Sequence, residues 1–217
     1  SEAALQGRDI LFDQNGRYNL RIRRMLETVY TQYRGDRNSK DFRELTTYLK
    51  RVWFASGIHH HYGSEKFQPG FSEKWLRQTL ADLNYSLDEE IFPVIFNPEV
   101  MPMRVNQKDG DDLILTSAEN YYGPGVTQAE AEEFYTQRKA VNDPHPIMMG
   151  LNSRLVKEDG ELTEQVWREH GLYGSAITRI IDCLQKARPF CDTEKQQHVI
   201  DKLIEFYRTG DPRTYDA

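Results

Sequence analysis

Arg51-Val-Trp-Phe-Ala-Ser-Gly-Ile-His-His-His-Tyr-Gly-Ser-Glu-Lys-Phe-Gln-Pro-Gly-Phe71 gathers aromatics, glycines and three consecutive histidines at the point where a strong helical pattern stops. Upstream, Phe42, Leu45, Leu49, Val52 and Trp53 mark one face of a helix, and Ser39 or Asp41 stands where its N-cap belongs. Gly57 is the expected stop, because glycine enters the left-handed cap conformation without steric cost. The segment His59-His60-His61-Tyr62 is therefore delivered from a helix end onto a loop.

The same periodicity extends both ways. Residues 3–13 read as a helix ended near Asn15-Gly16. Ile22, Met25, Leu26, Val29, Tyr30 and Tyr33 define a second, with Arg21, Arg23, Arg24 and Glu27 on a solvated face. Downstream, Ser72 caps a helix carrying Trp75, Leu76, Thr79, Leu80 and Leu83. Pro93, Pro98 and Pro102 then break any long element. Ile91–Phe96 reads as a short strand or half a helix, Lys108–Asp112 as a polar turn and Leu113–Thr116 as a strand. Thr127 and Glu130 form a capping box for a helix to about Lys139, closed by Asp143-Pro-His-Pro146. Asp159-Gly160 between two alternating runs predicts a hairpin, although its strands would set Glu158 against Glu161. Ile177, Ile180, Ile181 and Leu184 mark one late helix. A last one opens on Thr193 and Gln196, carries Val199, Ile200, Leu203, Ile204 and Tyr207, and stops at Gly210 and Pro212. The fold class is α+β and mainly helical, with a β-hairpin near 152–167 and one or two short strands between 91 and 118, in a single domain over 1–217.

Composition narrows the function classes. In 217 residues, 38% are hydrophobic and 12% aromatic, enough to build a core. Lys and Arg total 28 against 34 Asp and Glu, a net charge of −6 with no basic run, which argues against nucleic acid and against a membrane surface as partners. No apolar run approaches the roughly 20 residues of a membrane span, and no leader opens the chain. Cys183 and Cys191 would lie about 12 Å apart along one helix, too far for a disulfide. Pro189 between them leaves a closer approach open, but two free thiols in a reducing, cytoplasmic setting are the expectation. Beside its isoleucines, Cys183 reads as a buried thiol. The chain starts almost inside a helix and ends without an element, as a segment of a longer protein would.

No catalytic constellation is self-sufficient. Neighbouring histidines on a helix point about 100° apart, so three in a row cannot share a metal there. On an extended loop His59 and His61 would project the same way, with Glu65, His145 or His170 as a third ligand through tertiary contact. Hydrogen-bonding or substrate-lining histidines on a loop are the preferred reading, with purely structural ones as the alternative. There is no Gly-x-Ser-x-Gly, no His-Glu-x-x-His and no phosphate loop. Gly123-Pro-Gly125 precedes a helix N-terminus, where an anion can sit, but the capping box accounts for it. Tyr121 and Tyr122 either line a cleft or pack on a neighbouring helix. Trp53, Trp75 and Trp167 are expected in the core.

Several stretches, in order along nearly the whole chain, carry a resemblance. They are Gly7-Arg-Asp-Ile-Leu-Phe-Asp-Gln-Asn15, Trp53 to Phe67 with Pro69, Asn120-Tyr-Tyr ahead of Val126-Thr127, Gly150-Leu-Asn-Ser-Arg-Leu-Val-Lys157, and Leu203-Ile-Glu-Phe-Tyr-x-Thr-Gly-Asp211. Together they resemble the amino-terminal lobe of the dipeptidyl-peptidase III family, bacterial branch. Members are two-lobed zinc exopeptidases that release dipeptides from the amino end of short peptides. The zinc motif His-Glu-x-x-Gly-His belongs to the upper lobe, and none of it is in this sequence.

The resemblance thus implies part of the lower, peptide-binding lobe. Zinc would be a cofactor of the parent enzyme, with none expected in this chain, which alone would be inactive. Short peptides and the upper lobe would be its partners. Self-association is expected through surface that the rest of the enzyme would cover. Tyr62 matches a position where the family places an aromatic along the peptide cleft, ahead of the run Gly63, Lys66, Phe67, and the three histidines are typical of the bacterial branch. The substrate-binding candidates are Tyr62, His59, His61, Lys66, Tyr121 and Tyr122. No catalytic and no metal-binding residue is carried over. The alternative is a stand-alone helical module that binds peptide or protein without catalysis.

Overall fold

The structure is a computed structural model that describes residues 2–139 and 146–215. It is α+β and mainly helical, with one antiparallel hairpin among the described residues. Two compact units form, one over Arg8–Asn120 and the other over Tyr121–Ala217 with the first seven residues.

In the first unit, α1 (Glu2–Asn15) from Arg8 onward, α2 (Asn19–Gln32), α3 (Lys40–Ala55), α4 (Glu73–Asp82) and α5 (Ile91–Phe96) surround one core. The predicted stripes are the buried ones: Ile22, Met25, Leu26 and Val29 of α2 meet Leu45, Leu49 and Val52 of α3. Ser39 and Ser72 cap α3 and α4 through their hydroxyls, which accept from the Phe42 and Trp75 amides. Trp53 and Trp75 are only half-buried. Trp53 donates to Glu27 Oε1 at 2.7 Å, and Trp75 stands edge-on to Phe71 and Tyr33.

Arg23 departs from its expected solvated face. It is buried, its guanidinium lies 4.7 Å from the Phe12 ring centroid, and it reaches Asp9 at 2.6 Å. Burial alone would raise the Asp9 carboxyl, but the hydrogen bonds and charges of Arg23 and Arg24 outweigh it and hold Asp9 below its ordinary value.

Of the two runs between 91 and 118, Ile91–Phe96 takes its helical alternative and Leu113–Thr116 is not a strand. Ile91–Phe96 is helical because Pro93 falls in the first turn, where no intrahelical amide bond is needed. Leu113–Thr116 is a turn, because Asp112 Oδ1 accepts from the Ile114 and Leu115 amides. Extended pairing between 91 and 118 reduces to single bridges at Met103 and Ser117.

In the second unit, α6 (Gln128–Arg138) opens on the Thr127–Glu130 capping box. Strands β1 (Ser153–Glu158) and β2 (Glu161–Val166) pair from Ser153↔Val166 to Glu158↔Glu161. Asp159 and Gly160 both take positive φ, the two-residue turn that suits strand twist. Glu158 does face Glu161, and Gln165 donates to Glu158 Oε1. Helices α7 (Gly174–Ala187) and α8 (Glu194–Thr209) bury Ile177, Ile181 and Ile204, and α9 (Pro212–Tyr215) follows. The Thr193–Gln196 box and the left-handed Gly210 bound α8 as expected.

Cys183 is exposed rather than buried, because it lies two residues past Ile181 and so on the far side of α7 from the Ile177–Ile181 stripe. Both thiols are free. His145 and the rest of 143–145 lie outside the described residues. Among the described residues, no helix is long and apolar enough to cross a membrane.

Candidate functional site

The loop after α3 is pinned on every side. Ser56, not Gly57, takes the left-handed cap, with φ 55°. Gly57 serves a different purpose. A Cβ there would come within 2.4 Å of Asn19 Nδ2, and one at Gly16 within 2.6 Å. Asn19, itself buried, is wedged between the two glycines, and its Oδ1 accepts from the Ile58 amide. The chain then doubles back. His59 pairs with Lys66, the His60 amide donates to Glu65 O at 2.7 Å, and Phe67 donates to Ile58 O at 2.8 Å. Lys66 N donates to Pro102 O and Arg104 N to Ser64 O, while Arg104 Nη2 reaches His61 O. The tip, His60 to Ser64, is held by backbone bonds on both flanks.

This geometry separates the histidines. His59 and Lys66 sit opposite each other in an antiparallel pair, so both side chains leave on the same face, here the buried one. His59 Nε2 lies 2.9 Å from Met101 O; a carbonyl only accepts, so Nε2 carries the proton, and Nδ1 is buried without a partner. Burial drives the His59 imidazole down to about 4; the Met101 carbonyl opposes this, and the charges of Lys66 and Arg104 reinforce it. Lys66 is buried too. Its ammonium donates to the carbonyls of Val94, Asn97 and Val100, closing the C-terminal end of α5. Burial lowers its pKa, against the nearby Glu99.

The turn begins at His60, so the alternation expected to align His59 with His61 is broken there. His60, His61 and Tyr62 face outward. His60 Nδ1 accepts from the Tyr62 and Gly63 amides. Among the described residues, no three His, Cys, Asp or Glu side chains are grouped to hold a metal. His59 and His61, the pair considered for a shared metal, are not brought together: His59 engages Met101 inward and His61 faces outward.

What does gather is a line of rings. Phe54 contacts His61 edge-on at 6.4 Å between centroids, His61 contacts Tyr62 at 4.9 Å, Tyr62 contacts His60 at 6.4 Å, and His60 contacts Phe67 at 6.1 Å. Phe54 is 79% exposed and Tyr62 83%. The rings and the outward face of α3, with Thr47, Lys50 and Arg51, line an open cleft of about 610 Å³. Thr47, Lys50, Arg51 and Phe54 fall at i, i+3, i+4 and i+7, one helical face. Sequence reasoning missed these four. The available signal was Phe54, an aromatic two residues past the buried Val52 and so on the polar side of α3.

Tyr121 and Tyr122 belong to the other unit. There the stretch 121–123 runs parallel to β1, with Leu155 N donating to Tyr121 O and Gly123 N to Leu155 O. Tyr121 lies against Trp167, just past the hairpin, with ring centroids 5.9 Å apart.

A scan against family models finds no match to this chain, and a search of curated proteins finds none either.

Proposed function

We propose that this chain is part of the peptide-binding lobe of a dipeptidyl-peptidase III-like zinc peptidase, an enzyme that releases dipeptides from the amino end of short peptides. The observation that carries the reading is the line of exposed rings on a pinned loop. An exposed aromatic patch of this kind marks a binding surface, since large apolar side chains left in water gain free energy when a partner covers them. The loop's backbone bonds hold the rings in place before ligand arrives, which reduces the ordering cost of binding. The resemblance places Tyr62 along the family's peptide cleft, and the ring line runs through Tyr62.

In this reading the chain supplies cleft wall and scaffold. In the intact enzyme zinc would activate the water that attacks the peptide bond, from ligands outside this chain. The roles of its residues are mechanical: Tyr62, His61 and Phe54 contact the peptide, while His59, Lys66 and Asn19 hold the loop that presents them. Titrating the chain with a short peptide is expected to give saturable binding that Tyr62→Ala weakens. Incubation with zinc and a dipeptidyl arylamide is expected to give no turnover; hydrolysis by this chain alone would overturn the assignment.

A stand-alone module that binds peptide without catalysis is the second reading, which the exposed line of rings supports equally. The gene decides between them. A His-Glu-x-x-Gly-His stretch encoded after residue 217 supports the peptidase, and a stop codon there supports the module.

A further inference from the structure

We infer that the cleft selects peptides carrying an acidic side chain beside an apolar one. This rests on the peptide-binding reading and adds a substrate class to it. The chain is acidic overall, with 34 Asp and Glu against 28 Lys and Arg, and many of its arginines are paired. Arg21 meets Asp88 and Glu90, Arg77 meets Glu73 and Glu89, and Arg188 holds Asp201 through two nitrogens.

Lys50 and Arg51 are different. They are adjacent and exposed, they line the cleft, and neither makes an ion pair among the described residues. Glu65, whose Oε1 lies 3.9 Å from His60 Nδ1, does not line it. The cleft therefore presents two uncompensated cations one helical turn from an exposed phenylalanine. An ammonium and a guanidinium fork together match carboxylates, and the rings accept the neighbouring apolar side chain.

Both charges are solvent-exposed, so their contribution is modest and falls with salt. Together they account for roughly a tenfold preference at low ionic strength. The rings set the affinity, and the cations set which peptide is preferred.

Calorimetric titration of the full chain with three C-terminally amidated peptides tests this. The peptides are Ala-Glu-Phe-Glu-Ala, its Gln-for-Glu analogue and its Lys-for-Glu analogue, so only side-chain charge varies. The expected order of affinity is Glu, then Gln, then Lys, with the Glu-over-Gln margin shrinking in 0.5 M salt, where the screening length is only about 4 Å. The double variant Lys50→Gln, Arg51→Gln is expected to abolish that margin, so that it binds the Glu and Gln peptides equally. Phe54→Ala is expected to weaken the Glu and Gln peptides alike. Equal binding of the Glu and Gln peptides overturns the acidic preference while peptide binding stands. Failure of all three to bind overturns the peptide-binding reading and this inference with it.

Discussion

Two side chains in the opening stretch, His59 and Lys66, show how sequence position misleads about role. Both were substrate-binding candidates, and both are turned inward as structural groups. His59 stays neutral in the fold, with its imidazole pushed by burial to about 4, whereas an unfolded histidine titrates near 6.5. Between those values the unfolded chain binds the extra proton, so stability rises with pH through the window and is lost as pH falls from about 6.5 to about 4. The full difference amounts to about 3 kcal/mol. Urea unfolding across that range should show a steeper loss for wild type than for His59→Gln; parallel curves would contradict a buried neutral His59. Lys66→Met leaves three carbonyls without their donor and should cost at least about 2 kcal/mol, read as a lowered urea midpoint. Tyr48 is a contrasting case. Its hydroxyl is fully buried with no hydrogen-bond partner, and burial raises its pKa. Tyr48→Phe should leave stability unchanged or increase it. None of these three roles was legible in the sequence, because each depends on which backbone groups the tertiary fold brings alongside.

Helix caps and apolar stripes were legible, since both are local. Ser72, Thr127 and Thr193 each cap the helix they were expected to cap, and of Ser39 and Asp41 it is Ser39 that caps α3, because a hydroxyl needs only the amides of the next turn. Thr193→Ala removes the α8 box and should cost about 1 kcal/mol, with loss of helix signal below the main thermal transition. The Asp159-Gly160 turn was equally local. The run Ile91–Phe96 was ambiguous because six apolar residues fit a strand or a helix, and only the packing of Ile91, Phe92, Val94 and Ile95 into the core decides. Gly57 was expected as a left-handed cap, but Ser56 takes that conformation and Gly57 instead admits Asn19. Gly57→Ala should therefore destabilise the loop, since Asn19 is held between Gly16 and the Ile58 amide and cannot swing aside. Faster amide exchange at Ile58 and Phe67 would report it.

The molecule as a whole divides into two compact units. The unit over Arg8–Asn120 holds a continuous core of seventeen buried apolar side chains from Phe12 to Ile95. The α7–α8 pair buries three isoleucines and leaves Phe190 85% exposed and Val199 58% exposed. That surface carries the expectation of self-association: sedimentation at rising concentration should show a growing weight-average mass, which Phe190→Ser reduces. The overall class was readable because helical periodicity and the hairpin turn dominate the chain. The cleft was only partly readable. Tyr62 and His61 were found from their loop, but Phe54, Lys50 and Arg51 join them only because α3 ends beside that loop. The most direct test is an NMR titration of the labelled chain with a short peptide. Shifts concentrated on Thr47, Lys50, Phe54, His60, His61 and Tyr62, saturating together and lost in Tyr62→Ala, are the predicted result. No shifts, or shifts confined to α7 and α8, would contradict a peptide-binding cleft at the end of α3.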